Sequence, residues 1–151
     1  MNVGQMMSKE PKSCRPSETL EQAVKLMWDH DIGSLPVVDD RSRVIGMITD
    51  RDVCMAAYLR ALPLREISVA DVMAREVVTC RAKDADVAVA RVMAAHQIHR
   101  IPVVDEDMRA IGIVSLNDLA LAMARGQTVP PAEVAGTLAA IGEPRQGQPR
   151  T

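Results

Sequence analysis

Apolar and polar positions along the first third of the chain predict a helix, two short strands and a second helix. An apolar stripe at helical spacing marks the first helix and consists of Leu20, Ala23, Val24 and Met27. Ser17 precedes this stripe and is the expected N-cap. The apolar runs SLPVV and RVIGMI flank acidic turn residues and predict a tight strand pair. Because neither run alternates cleanly, both strands are expected to be buried on both faces. The second helix is predicted over about 50–60.

The same pattern occurs twice in the sequence. Residues 3–53 align with residues 69–119 at a constant offset of 66 and without a gap. Identical residues at matched positions include Met27 and Met93, His30 and His96, and Asp52 and Asp118. The chain is therefore predicted to be an α/β (α+β) protein of two similar motifs, each with the order strand, helix, strand, strand, helix. Neither motif alone buries enough apolar surface, so the two are expected to pack together.

The repeat sets the predicted domain boundaries. Residues 1–60 form the first motif, residues 61–68 are a linker, and residues 69–126 form the second motif, in which Gly126 ends the last helix. Residues 127–141 contain two prolines near their start and are predicted to form an appended C-terminal helix. Residues 142–151 are rich in Pro, Gly and polar residues and are predicted to be a flexible tail.

Composition and charge exclude several classes of function. The 151 residues are 48% hydrophobic but only 1% aromatic, so the core is expected to consist of aliphatic residues and methionines. The net charge is −2 and aromatic stacking platforms are scarce, so no nucleic-acid partner is expected. No apolar run approaches the roughly 18 residues of a membrane span, and no signal peptide is evident. We therefore expect a cytoplasmic protein with no membrane association.

The cysteines and histidines do not indicate a metal site or a catalytic nucleophile. The three cysteines form no CxxC pair, and Cys14 and Cys80, at matched positions on short strands, are expected to be buried free thiols. No histidine or other base stands at a spacing from Cys54 that would indicate a catalytic nucleophile. His30 and His96 are expected at equivalent helix ends, whereas His99 is matched by a glycine, so no metal site is predicted. An enzyme is accordingly not predicted.

Each motif contains a capping box at the start of its second helix. In the first motif Thr49 and Asp52 stand three residues apart, and in the second Ser115 and Asp118 do so. Capping alone explains a single copy of such a box. Its recurrence after Gly-apolar-apolar in both motifs favours a second role, because a helix N-terminus offers free N–H groups to a phosphate. The acid in the first turn could then accept a hydrogen bond from a ribose diol.

The segments IGSLPVVDDRSRVIGMITDRDV and IHRIPVVDEDMRAIGIVSLNDL resemble the cystathionine-β-synthase (CBS) domain, here as a tandem pair. The resemblance covers about residues 3–125. It implies that the two motifs pack with pseudo-two-fold symmetry into one disc, the Bateman module. It also implies that adenosyl ligands (AMP, ADP, ATP or S-adenosylmethionine) bind in clefts between the motifs. Members of the family usually regulate an attached or separate partner.

The resemblance also implies which residues contact the ligand. The phosphate or ribose would meet Thr49 and Ser115, and the ribose hydroxyls would meet Asp52 and Asp118. The adenine would meet backbone and apolar side chains at Ser13, Cys14, Leu35 and Pro36 in the first motif, and at Thr79, Cys80, Ile101 and Pro102 in the second. Arg51 follows Thr49 closely and is a candidate for the phosphate, whereas the matched residue Asn117 is neutral.

Two functions remain open from the sequence. The first is a regulatory module that binds an adenine nucleotide, needs no cofactor, and signals to an unidentified partner. The alternative is a ligand-free CBS pair that serves assembly or protein interaction. In both cases a homodimer is expected, because several helices carry Ala, Met and Leu faces and because the family commonly pairs two discs. Trp28 and the Met-rich helix faces are expected to lie in the core or in a subunit contact.

Overall fold

The computed structural model describes residues 1–127 and 129–145 and contains five α-helices and five short strands within those residues. In chain order these are β1 (Ser8–Lys9), α1 (Leu20–Asp29), β2 (Ser34–Val38), β3 (Val44–Thr49), α2 (Asp50–Arg60), α3 (Asp86–His96), β4 (Arg100–Val104), β5 (Ala110–Ser115), α4 (Leu116–Ala124) and α5 (Pro131–Gly142). Short 3₁₀ turns occupy Val3–Gln5, Leu64–Glu66 and Val69–Asp71. The tail predicted over 142–151 lies outside the described residues from residue 146 onward.

The chain folds into two compact units that do not coincide with the two sequence repeats. The first unit consists of Pro11–Val77 and Glu106–Ala110. The second unit consists of Met1–Glu10, Val78–Asp105 and the described residues from Ile111 onward. The ten N-terminal residues thus belong with the second repeat, and residues 69–77, which begin the second repeat in sequence, belong with the first. The domain boundaries predicted from the repeat therefore divide the chain differently from its compact units.

The first unit is built around the antiparallel pair β2 and β3, in which Ser34 faces Thr49 and Leu35 faces Ile48. Cys14 adds to the free edge of β2 through a parallel bridge to Val37, and Ala74 adds to β3 through an antiparallel bridge to Met47. Helices α1 and α2 pack against this sheet. The core is aliphatic and includes Leu20, Ala23, Met27, Leu35, Val37, Ile48, Val53, Ile67 and Val69.

The second unit repeats this arrangement and adds one helix. Its sheet has the strand order β1-β5-β4, with Cys80 bridged in parallel to Val103 of β4. Its core includes Val3, Val89, Ala90, Met93, Ile101, Val103, Val114 and Leu119. Helix α5 packs on α3 and α4, and its N-terminus begins with Pro131, whose missing N–H would be unpaired there in any case. None of the described helices has the length and apolarity needed to cross a membrane.

One local expectation was wrong, and a second holds for only some of the strands. The N-cap of α1 is Thr19 rather than Ser17, because Thr19 and Gln22 form a reciprocal capping box that starts the helix at Leu20. Burial on both faces holds for β2, all of whose residues are buried, but not for β3 and most of β5, where burial alternates. The alternation arises because one face of these strands meets the core and the other is partly exposed.

Gly46 in the first unit and Gly112 in the second allow a neighbouring backbone segment to pack closely against the sheet. A Cβ added at Gly46 would lie 2.8 Å from Met73 Sδ and 2.9 Å from the Ala74 carbonyl oxygen. A Cβ at Gly112 would lie 2.5 Å from Met7 Sδ and 2.9 Å from the Ser8 carbonyl oxygen. The methionine side chains could move, but the carbonyl oxygens belong to the neighbouring backbone and could not.

We expect Gly46→Ala and Gly112→Ala each to lower the free energy of unfolding by about 1–3 kcal/mol, as overpacking against backbone does. Gly136→Ala is the matched control, because nothing lies within 4 Å of the added Cβ and the residue is inside α5. There Ala should stabilise by about 0.5–1 kcal/mol through helix propensity. Urea denaturation of the three variants measures this, and equal effects at all three glycines would contradict the close approach.

Candidate functional site

The capping box of the first unit is fully formed. Thr49 is the last residue of β3 and the N-cap of α2. Its Oγ1 accepts a hydrogen bond from the Asp52 backbone N–H at 3.1 Å, and Asp52 Oδ2 accepts one from the Thr49 N–H at 3.0 Å. The adjacent Asp50 N–H donates to the Gly33 carbonyl oxygen at 3.0 Å. These bonds fix the side chains of Thr49 and Asp52 at the N-terminus of α2.

The second unit contains the same box with one additional bond. Ser115 Oγ accepts from the Asp118 N–H at 3.1 Å, and the Ser115 N–H donates to Asp118 Oδ2 at 2.7 Å. Ser115 Oγ also donates to the same Oδ2 at 2.7 Å. The Leu116 N–H donates to the carbonyl oxygen of His99 at 2.9 Å. Gly33 and His99, which occupy matched positions, therefore both act here through their backbone carbonyl groups.

Each capping acid uses only one of its two carboxylate oxygens. Within residues 1–127 and 129–145, Oδ1 of Asp52 and Oδ1 of Asp118 accept no hydrogen bond. Both acids are half-buried. Each unit thus holds a carboxylate oxygen with free acceptor capacity beside the positive end of a helix.

The residues expected to meet adenine lie on adjacent strand segments of each unit. In the first unit the Cys14 N–H donates to the Pro36 carbonyl oxygen at 3.0 Å, and Leu35 pairs with Ile48 one position from Thr49. In the second unit the Cys80 N–H donates to the Pro102 carbonyl oxygen at 3.2 Å. Cys14 faces Val37 and Thr49 faces Ser34, three residues apart on β2. That spacing is about 10 Å along the strand, and because side chains alternate, Pro36 shares the face of Thr49 whereas Cys14 faces the core.

The other residues that are expected to meet adenine also lie on the strands or directly beside them. Leu35, Pro36, Ile101 and Pro102 are buried. Ser13 and Thr79 are half-buried and directly precede the two buried cysteines. The structure thus brings each unit's expected adenine residues next to its capping box along one sheet.

Cys14 and Cys80 are neutral thiols in this environment. Burial raises the pKa of Cys14 to about 12, with a smaller contribution from the negative charge of Glu18. Burial likewise raises the pKa of Cys80 to about 12, with a smaller contribution from Asp84. At neutral pH both side chains are therefore small apolar groups of the two cores and are unsuited to act as nucleophiles. Cys54, by contrast, is exposed.

Arg51 differs from its counterpart Asn117 in charge and is free to contact a ligand. Arg51 is exposed in the first turn of α2, and its guanidinium makes no hydrogen bond or ion pair within residues 1–127 and 129–145. Asp50 Oδ1 accepts from the backbone N–H of Arg51 at 2.8 Å and not from the guanidinium. The Arg51 guanidinium is therefore unpaired within these residues, with the negative charge of Asp50 next to it in the sequence.

A small cavity adjoins Asp118 in the second unit. Its volume is about 110 Å³, and its lining includes Gln5, Asp118, Leu121, Arg125 and Gln127. Pockets that enclose a whole ligand are typically about 300–1,000 Å³, so this cavity is only open space beside the carboxylate. Gln5 and Arg125 were missed in the sequence because neither belongs to the capping box or to the residues expected to meet adenine, and Gln5 reaches this unit through the N-terminal segment.

The histidines end helices as expected: His30 is the C-cap of α1, and His96 is the last residue of α3. In the part of the chain that the structure describes, no three His, Cys, Asp or Glu side chains are close enough to hold a metal ion.

Comparison with known proteins identifies the family. Residues 3–58 and 69–125 each match the family model of the CBS domain. The chain belongs to the CBS domain family. Two CBS motifs are therefore present in tandem, and the fold is that of a CBS domain pair.

Curated relatives of this CBS pair differ widely in length. The CBS domain-containing protein YhcV of Bacillus subtilis is 32% identical over 120 residues, which are 80% of this chain and 84% of that protein. The inosine-5'-monophosphate dehydrogenase of Methanocaldococcus jannaschii is 31% identical over 115 residues, which are 76% of this chain but only 22% of the dehydrogenase.

Two similar structures contain adenosyl ligands. The CBS domain pair of protein MJ0100, in complex with 5'-methylthioadenosine and S-adenosyl-L-methionine, has a TM-score of 0.77 and 27% identity, covering 84% of this chain and 98% of that one. CBSX2 in complex with AMP has a TM-score of 0.73 and 25% identity, covering 82% of this chain and 96% of that one.

Proposed function

We propose that this CBS pair is a regulatory module that binds an adenosyl ligand at the capping boxes and transmits its bound state to a partner protein. The observation that carries the proposal is the free Oδ1 of Asp52 and of Asp118 at the N-termini of α2 and α4. A ribose diol donates two hydrogen bonds and finds in each unit an acceptor that is already held in place. Because the cap fixes the carboxylate before binding, little side-chain entropy is lost when the ligand binds.

The ligand class follows from the chemistry of each unit and from the similar structures. The apolar strand segments beside each box, with Pro36 in the first unit and Pro102 in the second, suit a purine, and the helix N-terminus suits a phosphate or another electron-rich group. The complexes of MJ0100 and CBSX2 with S-adenosylmethionine, 5'-methylthioadenosine and AMP support an adenosyl group. The partner that receives the signal is a separate protein or another part of a longer chain.

A thermal-shift panel with AMP, ADP, ATP, adenosine and S-adenosylmethionine tests the proposal. A ligand present at 100 times its Kd stabilises the native state by about 2.7 kcal/mol. For a chain of this size that corresponds to a rise in Tm on the order of 5–10 °C. A flat response to every compound would contradict ligand binding and favour the alternative of a ligand-free assembly module.

The ribose role of the two acids predicts a loss of affinity without a loss of fold. Asp52→Ala or Asp118→Ala should weaken binding in its own unit roughly 10- to 100-fold, the value of a hydrogen bond to a charged group. Each should also cost about 1 kcal/mol of stability through loss of the cap. Asp→Asn at either position retains an oxygen for the cap and loses the charge.

Titration calorimetry and thermal melting of the Asn variants separate the two roles. We expect weakened binding with a nearly unchanged Tm. If Asp52→Asn and Asp118→Asn both bind like the parent chain, the acids only cap their helices and the ribose role is wrong.

The two units are expected to prefer different ligands, because Arg51 stands between Thr49 and Asp52 in the first box, where the second box has the neutral Asn117. Arg51→Ala should weaken AMP binding in the first unit about 10-fold and leave adenosine binding unchanged, since the guanidinium acts on the phosphate. Asn117→Ala is the matched control in the second unit and should change neither the affinity for AMP nor that for adenosine. Calorimetry with AMP and adenosine measures all three proteins. Two sites of equal affinity that Arg51→Ala does not affect would contradict the predicted difference between the units. If Arg51→Ala weakened AMP and adenosine binding equally, Arg51 would act on the structure and not on the phosphate.

A further inference from the structure

The first residues of the chain pair with the start of α3. The Val3 N–H donates to the Asp84 carbonyl oxygen at 2.9 Å, and the Asp86 N–H donates to the Met1 carbonyl oxygen at 3.1 Å. Val3 is fully buried in the core of the second unit. The same segment places Gln5 in the lining of the small cavity of this unit. The position of the segment therefore affects both the core and the candidate site.

The first unit has the same backbone ladder, with apolar side chains at the matched positions. By the 66-residue offset, Leu20 matches Asp86 and Ile67 matches Met1. The Leu20 N–H donates to the Ile67 carbonyl oxygen at 2.9 Å. Both of these side chains belong to the core of the first unit, where Leu20 is 0% and Ile67 is 1% exposed. The second unit therefore has an aspartate where the first has a leucine of the core.

Asp86 is buried although its side chain is a carboxylate. The residue is 4% exposed, and its Oδ1 accepts a hydrogen bond from the Val87 N–H at 2.7 Å. In the described part of the chain Asp86 Oδ2 accepts no hydrogen bond, and it lies 3.6 Å from the nitrogen of the Met1 ammonium group.

The ammonium group accounts for the burial of Asp86 better than the helix does. An acid in the first turn of a helix gains from the helix dipole whether it is buried or exposed, so the dipole does not explain the burial. Aspartate is almost never fully buried unless it is paired, because an isolated buried charge is very costly. The Met1 ammonium supplies the opposite charge at this place.

We propose that the ion pair between Asp86 and the Met1 ammonium is a charge lock that holds the N-terminal segment on the second unit. The lock holds only while the nitrogen of Met1 is charged. An acyl group or a further residue joined to this nitrogen makes it a neutral amide and leaves the buried carboxylate without its counter-charge. Either change therefore loosens the segment that carries Val3 and Gln5. The matched segment of the first unit is held by apolar contacts and does not depend on this charge.

Opening the charge lock also affects the ligand site of the second unit, a consequence that rests on the proposed function. Gln5 and Met6 line the cavity beside Asp118. Further along the segment, β1 pairs with β5, the strand that ends in Ser115. A loosened segment therefore supports this capping box less well, and adenosine should bind more weakly in the second unit alone.

Amide hydrogen exchange tests the charge lock on the parent chain and on a chain that carries Gly-Ser before Met1. The amides of Val3 and Gly4 donate hydrogen bonds in the ladder of the second unit, and those of Val69 and Ala70 do so at the matched positions of the first. In the extended chain the exchange of Val3 and Gly4 should accelerate at least about 10-fold more than that of Val69 and Ala70, because only the N-terminal segment opens.

Asp86→Leu is the matched variant, since it introduces the first repeat's own residue and removes the carboxylate that needs the charge. The Gly-Ser extension should lower the Tm of the parent chain by about 5–10 °C and that of Asp86→Leu by less than about 2 °C. Asp86→Asn, which keeps the shape of the side chain, should be as insensitive to the extension as Asp86→Leu.

Two results would overturn the charge lock. If the extension lowers the Tm equally with and without the carboxylate, it acts through its bulk and not through the charge. If the four amides accelerate equally, the extension acts on the whole fold and not on the N-terminal segment.

Titration calorimetry with adenosine tests the consequence for the ligand separately. Weaker binding in the second unit of the extended chain would support it, and unchanged binding would contradict it while the charge lock stands. If the parent chain binds no adenosine, the proposed function is contradicted, whereas the exchange rates and the Tm values still decide the charge lock.

Discussion

The close backbone approach at Gly46 and Gly112 is the constraint on which the rest of the structure depends. At each glycine, one strand of a hairpin accepts an edge segment that comes from the beginning of the other sequence repeat. That segment closes the sheet edge, and its flanking apolar residues, such as Val3 and Val69, complete the core. Three residues after each glycine the strand ends in Thr49 or Ser115 and the helix begins. The tight packing of the sheet therefore fixes the position of the capping boxes.

Much of the fold was predictable because its signals are local. Helical spacing, the acidic turns between apolar runs, and the hydroxyl-to-acid spacing of the boxes depend on residues within one turn or hairpin. The helix over Asp50–Arg60 and the helix end marked by Gly126 followed from them. The repeat of these signals at one offset predicted two similar motifs. Their assignment to CBS domains followed from the resemblance of the two strand-pair segments to that family, and the comparisons confirm it.

The features that were not predictable depend on contacts distant in sequence. A repeat alignment cannot show that the two repeats exchange their edge segments, because it assigns residues 1–10 and 69–77 each to its own repeat. The cap at Thr19 was missed because Ser17 and Thr19 are both good N-caps, and only the reciprocal bond with Gln22 selects between them. In the candidate site, the sequence supplied the acids, but the carboxylate oxygen left free and the backbone engagement of Asp50 required coordinates.

The two repeats differ on the outer surfaces of their helices. On α3, alanines accept a helix from the same chain, and on α1 and α2 the matched positions carry the chain's two aromatic rings. An aromatic ring left in water gains nothing for a monomer, whose core is complete without it. Within the core, by contrast, matched positions keep aliphatic residues of similar size, such as Leu35 with Ile101 and Val37 with Val103. Packing constrains the interior equally in both units, whereas each outer helix surface is constrained only by what it contacts, so the two repeats can differ there without cost to either core.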